Sequence, residues 1–493
     1  MTEDKKELTY QYACKHYLRS KSLEKLRAYG RSIGVSRSAA KNKDVLIEDI
    51  VGVLSGRLEP TYTKRGAPVL NDSVDPQIPE TIKKIYEEIF EVVLPTESFD
   101  FYKEYQKIKQ NPNTMVVEEP ERALRENGTV FTVKKGQLQQ LNGVYYLLPL
   151  DGKDNGEYVV MHTETVAQCG LLDGDVITCE AAQGQTAFIV ANVTEINGVS
   201  TATFTRRETE NAFPCEPSQT FSLYDEKDNP LPACKFIQWL APIRKGQRCC
   251  VIAPPKTGKT RLLQDIAYGI QALHLDTTVL AFLVDQALET VGQFAQFIPQ
   301  ENLVYTTYDD EPTRQIFLAD FILKRAKRLA ESGKDVVLFV DSFNGLAKVF
   351  NDTEESVGGK TLPCGLETKT LQYIKKYVAS SYCIEGKGTL TIIGTSAINT
   401  GNPFDDIISA EIAPLANHEI RLSEQMALKR IYPAIDKTQI NVERRTYTAQ
   451  EQAQGKLIDG YLLRHSAEEL LQCVISCDTY EEFENRIKER MND

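Results

Sequence analysis

Apolar positions along the 493-residue chain fall into three successive rhythms. Near the N-terminus, LRSKSLEKLRAYGRSIGVSRSAAKNKDVLIEDIVGVL places Leu18, Leu23, Leu26 and Ile33 on one side of a helix. The pattern breaks at Gly34 and resumes helical spacing with Val45, Leu46, Ile50 and Val53. This predicts a compact helical module over 1–56. From Gly128 to Asn197 the period shifts toward two: TVFTVKKGQLQQL, GVYYLLPL, EYVVM, DVITCEA and TAFIVANVTEI read as five short strands between turns at Gly143, Asp151-Gly152, Asp173-Gly174 and Gly184. Such strands predict a small barrel over 128–200, of the OB type, whose exposed face can stack single-stranded bases on aromatic rings. Tyr145, Tyr146, Tyr158 and Phe188 are the candidate rings. Alternation sends Tyr145 and Tyr146 to opposite faces, so a given surface can carry one of them.

From about Pro232 onward, the strand-like runs CCVIA, TTVLAFLVD, LVYTTYD, DVVLFVD and GTLTIIGTS are separated by helical stretches. That alternation predicts a parallel sheet with helices on both faces over 232–493, with ligands gathering at the carboxyl ends of the strands. Between these regions, 57–127 contains the linker-like PTYTKRGAPVLNDSVDPQIP and a charged helical stretch, TIKKIYEEIFEVV, while 201–231 reads as a second linker.

Composition narrows the function. No apolar run reaches the length of a membrane span, and MTEDKKELTYQYACKHY lacks the apolar centre of a secretory leader, so a cytoplasmic protein with no membrane partner is expected. The 11 cysteines are odd in number, scattered and without a CxxC pair, which suits reduced thiols. A net charge of −12 excludes a protein that coats duplex nucleic acid through bulk charge. Residues 1–50 nevertheless hold 11 Lys/Arg against 7 Asp/Glu, so a nucleic-acid site, if present, is local.

The sharpest chemical signal is APPKTGKT, Ala253 to Thr260, which follows the strand CCVIA and opens the helix TRLLQDIAYGIQAL. That is the context of a phosphate loop, and the candidate nucleotide-binding run is Pro255, Lys256, Thr257, Gly258, Lys259, Thr260 and Arg261. Amides at the helix N-terminus suit a β-phosphate, the Lys259 ammonium neutralises β/γ charge, and the Thr260 hydroxyl can face Mg²⁺. Starting on Ala253 in place of glycine is tolerable where φ stays negative, and the two prolines remove donors while stiffening the turn. Further on, KDVVLFVDSF ends an apolar run in Asp341, a carboxylate able to order Mg²⁺ through water, as a Walker B residue does. ATP and Mg²⁺ are the expected cofactors.

Together, KGQRCCVIAPPKTGKTRLLQDIA, TTYDDEPTRQIFLADFILKRAKRLAESGKDVVLFVDSFNGLAKVFN, GTLTIIGTSAINTG and ALKRIYPAID resemble the ATPase core of the Rho family of bacterial transcription termination factors. The likeness runs well over Tyr158 to Asp436 and in organisation over the N-terminal half, and the APPK opening is a peculiarity of that family. It implies a multidomain α/β chain: a RecA-like P-loop ATPase core with a parallel sheet, preceded by a small OB-fold β-barrel of cold-shock type and an N-terminal helical SAP-like module. It further implies a homo-hexameric ring that loads on single-stranded RNA, binds ATP between subunits, threads RNA through its pore and releases transcripts from RNA polymerase. By the same resemblance Lys256, Lys259 and Thr260 hold phosphate and Mg²⁺, Asp341 is the Walker B aspartate and Tyr432 lies on adenine. Arg430 would reach a neighbouring subunit's site, with Arg444 or Arg445 as the arginine finger. Tyr146 and Tyr158 match the stacking aromatics of the barrel, and Lys360 matches a basic residue of a pore loop.

Departures from that family fall on the moving parts. Where its strand after the phosphate loop ends Asp-Glu-Arg, with the glutamate polarising the attacking water, this chain has Asp285, Gln286 and Ala287. An amide can orient water but cannot accept its proton. FNGLAK carries Gly345 and keeps only Lys348 of a basic run, IAPLAN replaces the usual FKGTGN so that Ala413 stands for a lysine, and Glu424 stands for an arginine. The primary reading is a Rho-type RNA-dependent ATPase and helicase that binds nascent RNA and terminates transcription. Its rival is a catalytically weakened homologue acting as a nucleotide- and RNA-binding regulatory ring. A third reading, an F1-type rotary subunit, shares the core fold but not the N-terminal modules or the APPK loop.

Overall fold

The computed structural model describes residues 18, 23–32, 34–35, 41–54 and 58, and then 131–492 except 142, 154–155, 184–186, 207–215, 226, 228–230, 358, 363, 384–387 and 443–447. Apart from Leu58, the 57–127 stretch lies outside the described residues, as do Arg444 and Arg445. The N-terminal helices belong to one compact unit, Met1–Asp100 with Thr114–Glu118, and everything from 131 onward belongs to a second.

In the first unit, helices Leu23–Ser32 and Lys43–Leu54 are separated at Gly34, whose φ of 87° ends the first helix while Val35 N–H returns to Gly30 O at 2.8 Å. Leu18, Leu26, Leu46, Ile47, Ile50 and Val51 form its core. Of the expected face, Ile33 lies outside the described residues, and one position differs. Val45 is 47% exposed, and Ile47 and Val51 are buried in its stead.

The five strands expected in the barrel are all present: β1 (Phe131–Leu141), β2 (Val144–Leu148), β3 (Val159–Met161), β4 (Val176–Gln183) and β5 (Phe188–Ile196), with a short β6 (Val199–Ser200). The order is β3-β2-β1-β4-β5, and a parallel β3–β5 pairing closes it into an OB-like barrel. Leu138, Leu147, Val159, Ile177, Cys179 and Ile196 fill its interior.

The second sheet contains β7 (Arg248–Ala253), β8 (Thr277–Leu283), β9 (Leu303–Tyr305), β10 (Asp335–Asp341), β11 (Tyr382–Cys383), β12 (Thr389–Ala397), β13 (His418–Arg421) and β14 (Asn441–Val442), in the order β14-β13-β7-β12-β10-β8-β9, with β11 beside β12. Strands β13, β7, β12, β10, β8 and β9 run parallel. Their near-continuous apolar runs, RCCVIA and DVVLFVD among them, are those of strands covered on both faces. Helix Lys259–Leu273 returns from β7, burying Leu262, Leu263, Ile266, Ala267 and Ile270 at helical spacing. Phe221 and Leu223, within the 201–231 stretch read as linker, pack into this core because the backbone there joins the sheet domain, with Phe221 N–H donating to Ile243 O at 2.8 Å.

The long helix Pro312–Glu331 carries the barrel. Gln137 Nε2 donates to Phe321 O at 2.7 Å, and Asp173 receives Lys324 Nζ at 2.8 Å on its carboxylate and Arg328 Nε at 3.1 Å on its carbonyl. Gly174 is required at this contact: its φ is 97°, and a Cβ there would lie 2.8 Å from Lys324 Cβ. Arg325, 1% exposed, donates through Nη1 to Leu150 O and to Glu301 O, at 2.9 and 2.8 Å.

Candidate functional site

The phosphate loop lies between β7 and helix Lys259–Leu273, at the carboxyl end of the parallel sheet. Its left-handed residues are Lys256 (φ 61°) and Gly258 (φ 94°), so Ala253 needs no glycine. Thr257 Oγ1 donates to Pro254 O at 2.8 Å and braces the turn from inside, while Pro255 and Lys256 are exposed. Gly258 occupies the N-cap without a side-chain cap, which leaves the first helix amides for an anion.

Strand β10 brings Asp341, 2% exposed, beside this loop. Thr260 Oγ1 donates to Asp341 Oδ2 at 2.7 Å and Thr395 Oγ1 to Oδ1 at 2.5 Å. Burial lowers the pKa of the Lys259 ammonium, and the charges of Asp341 and Asp405 counter it. Asp405 is itself buried, which raises its pKa, but donors from Lys348 Nζ at 2.8 Å, Thr400 Oγ1 at 2.8 Å and Asn344 Nδ2 at 3.0 Å outweigh burial and hold it below the usual carboxylate range. Hydroxyl and carboxylate oxygens, an ammonium and unspent helix amides meet here, a donor set that fits a nucleotide phosphate with Mg²⁺.

Gln286 follows the end of β8 on the same side. Asp285 adopts φ 50°, Gln286 N–H donates to Thr306 O at 3.1 Å, and Gln286 Nε2 donates to Val284 O at 3.2 Å. The side-chain amide is thereby held near the main chain of Asp341, whose carbonyl receives Val284 N–H at 2.8 Å. Burial raises the pKa of neighbouring Asp285, an effect Gln315 opposes and Asp310 and Asp352 reinforce.

Tyr432, 36% exposed, approaches the loop from the far end of the domain: a Cβ on Gly258 would sit 3.6 Å from its ring. Its hydroxyl donates to Asp265 Oδ2 at 2.6 Å, and Arg261 Nε lies 3.0 Å from Asp265 Oδ1. Burial, and then the Asp265 charge, push the Tyr432 phenol far above its ordinary pKa. A cleft of ≈ 490 Å³ adjoins, lined by Arg261, Gln264, Asp265, Tyr268, Gln293 and Phe297 among others. Arg430 is exposed on a left-handed backbone (φ 58°).

The remaining candidates lie elsewhere. Lys360 is exposed on a loop, its N–H donating to Thr368 Oγ1 at 3.1 Å. Ala413–Leu415 is a single 3-10 turn braced by Arg248, which donates through Nε to Leu415 O at 2.6 Å and through its N–H to Asn417 Oδ1 at 2.8 Å. On the barrel, Tyr158 is half-buried and Tyr146 is 7% exposed. Tyr145 is the ring that packs against the barrel interior, and Tyr146, on the opposite face of β2, is itself buried. Asp265, Thr395 and Asp405 were not singled out from the sequence: the first two lie inside the quoted segments without a mark of their own, and their partners are brought to them by the fold.

Among the described residues, no helix is long and apolar enough to cross a membrane, and no group of three or more His, Cys, Asp or Glu side chains could hold a metal. Residues 233–439 match the nucleotide-binding domain of the ATP synthase alpha/beta family. The chain is 34% identical over 267 residues to transcription termination factor Rho of Chromobacterium violaceum, covering 54% of this chain and 63% of that one, and so spans under two thirds of that relative's length. It is 34% identical over 264 residues to the Rho factor of Karelsulcia muelleri, covering 53% of this chain and 69% of that one. With Rho of Cereibacter sphaeroides the identity is 33% over 294 residues, covering 58% and 68%. Among solved structures, the prototypical ATPase from the type III secretion system of pathogenic bacteria aligns with TM-score 0.47 and 20% identity over 58% of this chain and 88% of that one.

Proposed function

This chain belongs to the Rho family of transcription termination factors, and from that premise we propose that it is an RNA-dependent ATPase and helicase that binds nascent RNA and ends transcription. The observation that carries the reading is the 2.7 Å contact of Thr260 with Asp341 beside an uncapped helix N-terminus, in a compact unit that also contains the closed barrel. In this reading the loop amides and Lys256 orient the triphosphate, Lys259 offsets its β/γ charge, and Thr260 and Asp341 hold Mg²⁺, which when bound spreads the charge that develops on the phosphoryl oxygens. Tyr432 supplies an aromatic platform for the base. Arg430, and Arg444 or Arg445, would serve a neighbouring site in a homo-hexamer. Single-stranded RNA would meet Tyr158 on the barrel and Lys360 in the pore, and the transcription complex would be the partner released in the cytoplasm.

One feature supports the weaker-turnover variant. Gln286 is a neutral amide tethered to Val284 O, able to place water but not to take its proton. A regulatory ring that grips nucleotide and RNA without efficient hydrolysis would have that chemistry. ATP turnover with and without single-stranded RNA, on full-length protein whose assembly state has been established, separates the two. Stimulation by RNA supports the motor. Bound MgADP without stimulation supports the regulatory ring, and no uptake of either nucleotide at millimolar concentration sinks both.

A further inference from the structure

Asp265 does not belong to the phosphate loop, yet both of its carboxylate oxygens are engaged beside it. It sits one and a half turns into helix Lys259–Leu273, is 4% exposed, and uses both carboxylate oxygens: Oδ2 accepts from Tyr432 Oη at 2.6 Å and Oδ1 faces Arg261 Nε at 3.0 Å. Aspartate is among the residues least often buried, and burial raises its pKa despite both partners, so this site disfavours the charge it holds. Packing gives no reason for that arrangement. An apolar residue would suit the helix equally well, and the tyrosine it holds arrives from 167 residues away.

We infer that Asp265 is a positioning residue for the nucleobase: with Arg261 steadying it, its carboxylate fixes the Tyr432 ring above Gly258 as a preformed platform. The inference rests on the reading of Tyr432 as the base platform and deepens it. A partly exposed tyrosine on a connecting segment would otherwise sample several χ1 and χ2 wells and lose that freedom each time a base stacked on it. Fixing the ring during folding removes that cost from binding. Two further observations agree. The ring approaches the phosphate loop at the one residue lacking a Cβ, and the anchor forms part of the wall of an open cleft of ≈ 490 Å³ with room for a planar group.

The test measures binding of MgADP and of inorganic tripolyphosphate, which lacks a base, by calorimetry on the full-length chain. Tyr432→Phe and Asp265→Ala each weaken MgADP by about fivefold, the scale of one hydrogen bond that orders a side chain, and leave tripolyphosphate unchanged. The double variant is no weaker than either single one, because both remove the same bond, and Asp265→Asn, which keeps an acceptor, recovers most of the loss. Tyr432→Ala, removing the ring itself, weakens MgADP further. Loss on Tyr432→Ala with none on Tyr432→Phe or Asp265→Ala overturns the positioning role and leaves the platform standing. No loss on Tyr432→Ala removes the platform reading itself. Equal loss of tripolyphosphate in Asp265→Ala makes Asp265 a support of the helix and also overturns the inference. Tyr432→Phe deletes one oxygen and keeps the ring, so the result stands even where Asp265→Ala fails to fold.

Discussion

Thr260 Oγ1 and Asp341 Oδ2 stand 2.7 Å apart, although 81 residues separate them in the chain. Parallel strands of one sheet make the contact possible: β7 leads into the helix that begins at Lys259, and β10, two places along with β12 between them, delivers the carboxylate to the same edge. Lys259, partly desolvated there, faces Asp341 and Asp405. Replacing it with alanine takes the cation from Asp341, while Asp405 keeps Lys348. Lys259→Ala should weaken MgADP about tenfold to a hundredfold, the range for losing a hydrogen bond to a charged group, as read by calorimetry. Undiminished affinity would contradict the phosphate assignment.

In the proposed function, Gln286 stands where a carboxylate would draw a proton from water. Gln286→Glu should raise ATP turnover by about tenfold or more if proton removal limits the rate. An unchanged steady-state rate at saturating ATP would put the slow step elsewhere.

His418 ties β13 to the end of helix Pro232–Leu240 through Nε2, 3.0 Å from Ala241 O, with Nδ1 3.3 Å from Cys249 Sγ. Burial pulls its pKa down to about 4; the Ala241 contact restores only part, and Lys437 and Arg244 push it the same way as burial. The unfolded imidazole takes up its proton first as pH falls. The stability it contributes is therefore complete above the unfolded value near 6.5 and is lost progressively toward pH 4, by about 3 kcal/mol in all. Urea unfolding at pH 7.5 and 4.5 should show a smaller difference in His418→Gln than in the parent chain.

Arg325 joins the barrel to the ATPase domain with its Nε and Nη2 unpaired among the described residues. Arg325→Ala opens a cavity and strands the carbonyls of Leu150 and Glu301, so it should destabilise the protein by about 2–4 kcal/mol in urea unfolding. A loss under 1 kcal/mol would mean that the junction relaxes around the gap.

Tyr158 retains exposure on the barrel and Tyr146 does not. Tyr158→Ala should cost about 1–3 kcal/mol of affinity for single-stranded RNA with the fold intact. Tyr146→Ala should lower the melting temperature and leave RNA affinity within twofold of the parent. Equal affinity losses at the two positions would show that the face around Tyr146 opens to RNA.

Local order was readable without coordinates wherever a residue's environment depends on its near neighbours. A strand, a turn and a helix start are encoded within a dozen positions, so the phosphate loop, the five barrel strands and the strand ending in Asp341 could all be placed from spacing alone. The same reasoning misjudged Val45, because which residues of a short helix face inward depends on where its partner helix packs. It also could not tell that Tyr146 is covered, since alternation assigns a face without saying what lies against it. Asp265, Thr395 and Asp405 carry no local mark, and their roles arise from contacts across 167, 54 and 57 residues respectively. The sequence by itself determined where a loop of the phosphate-binding kind opens a helix; the tertiary structure alone decided which distant side chains surround it, because long-range contacts follow from how the sheet and helices pack and not from the spacing of residues along the chain.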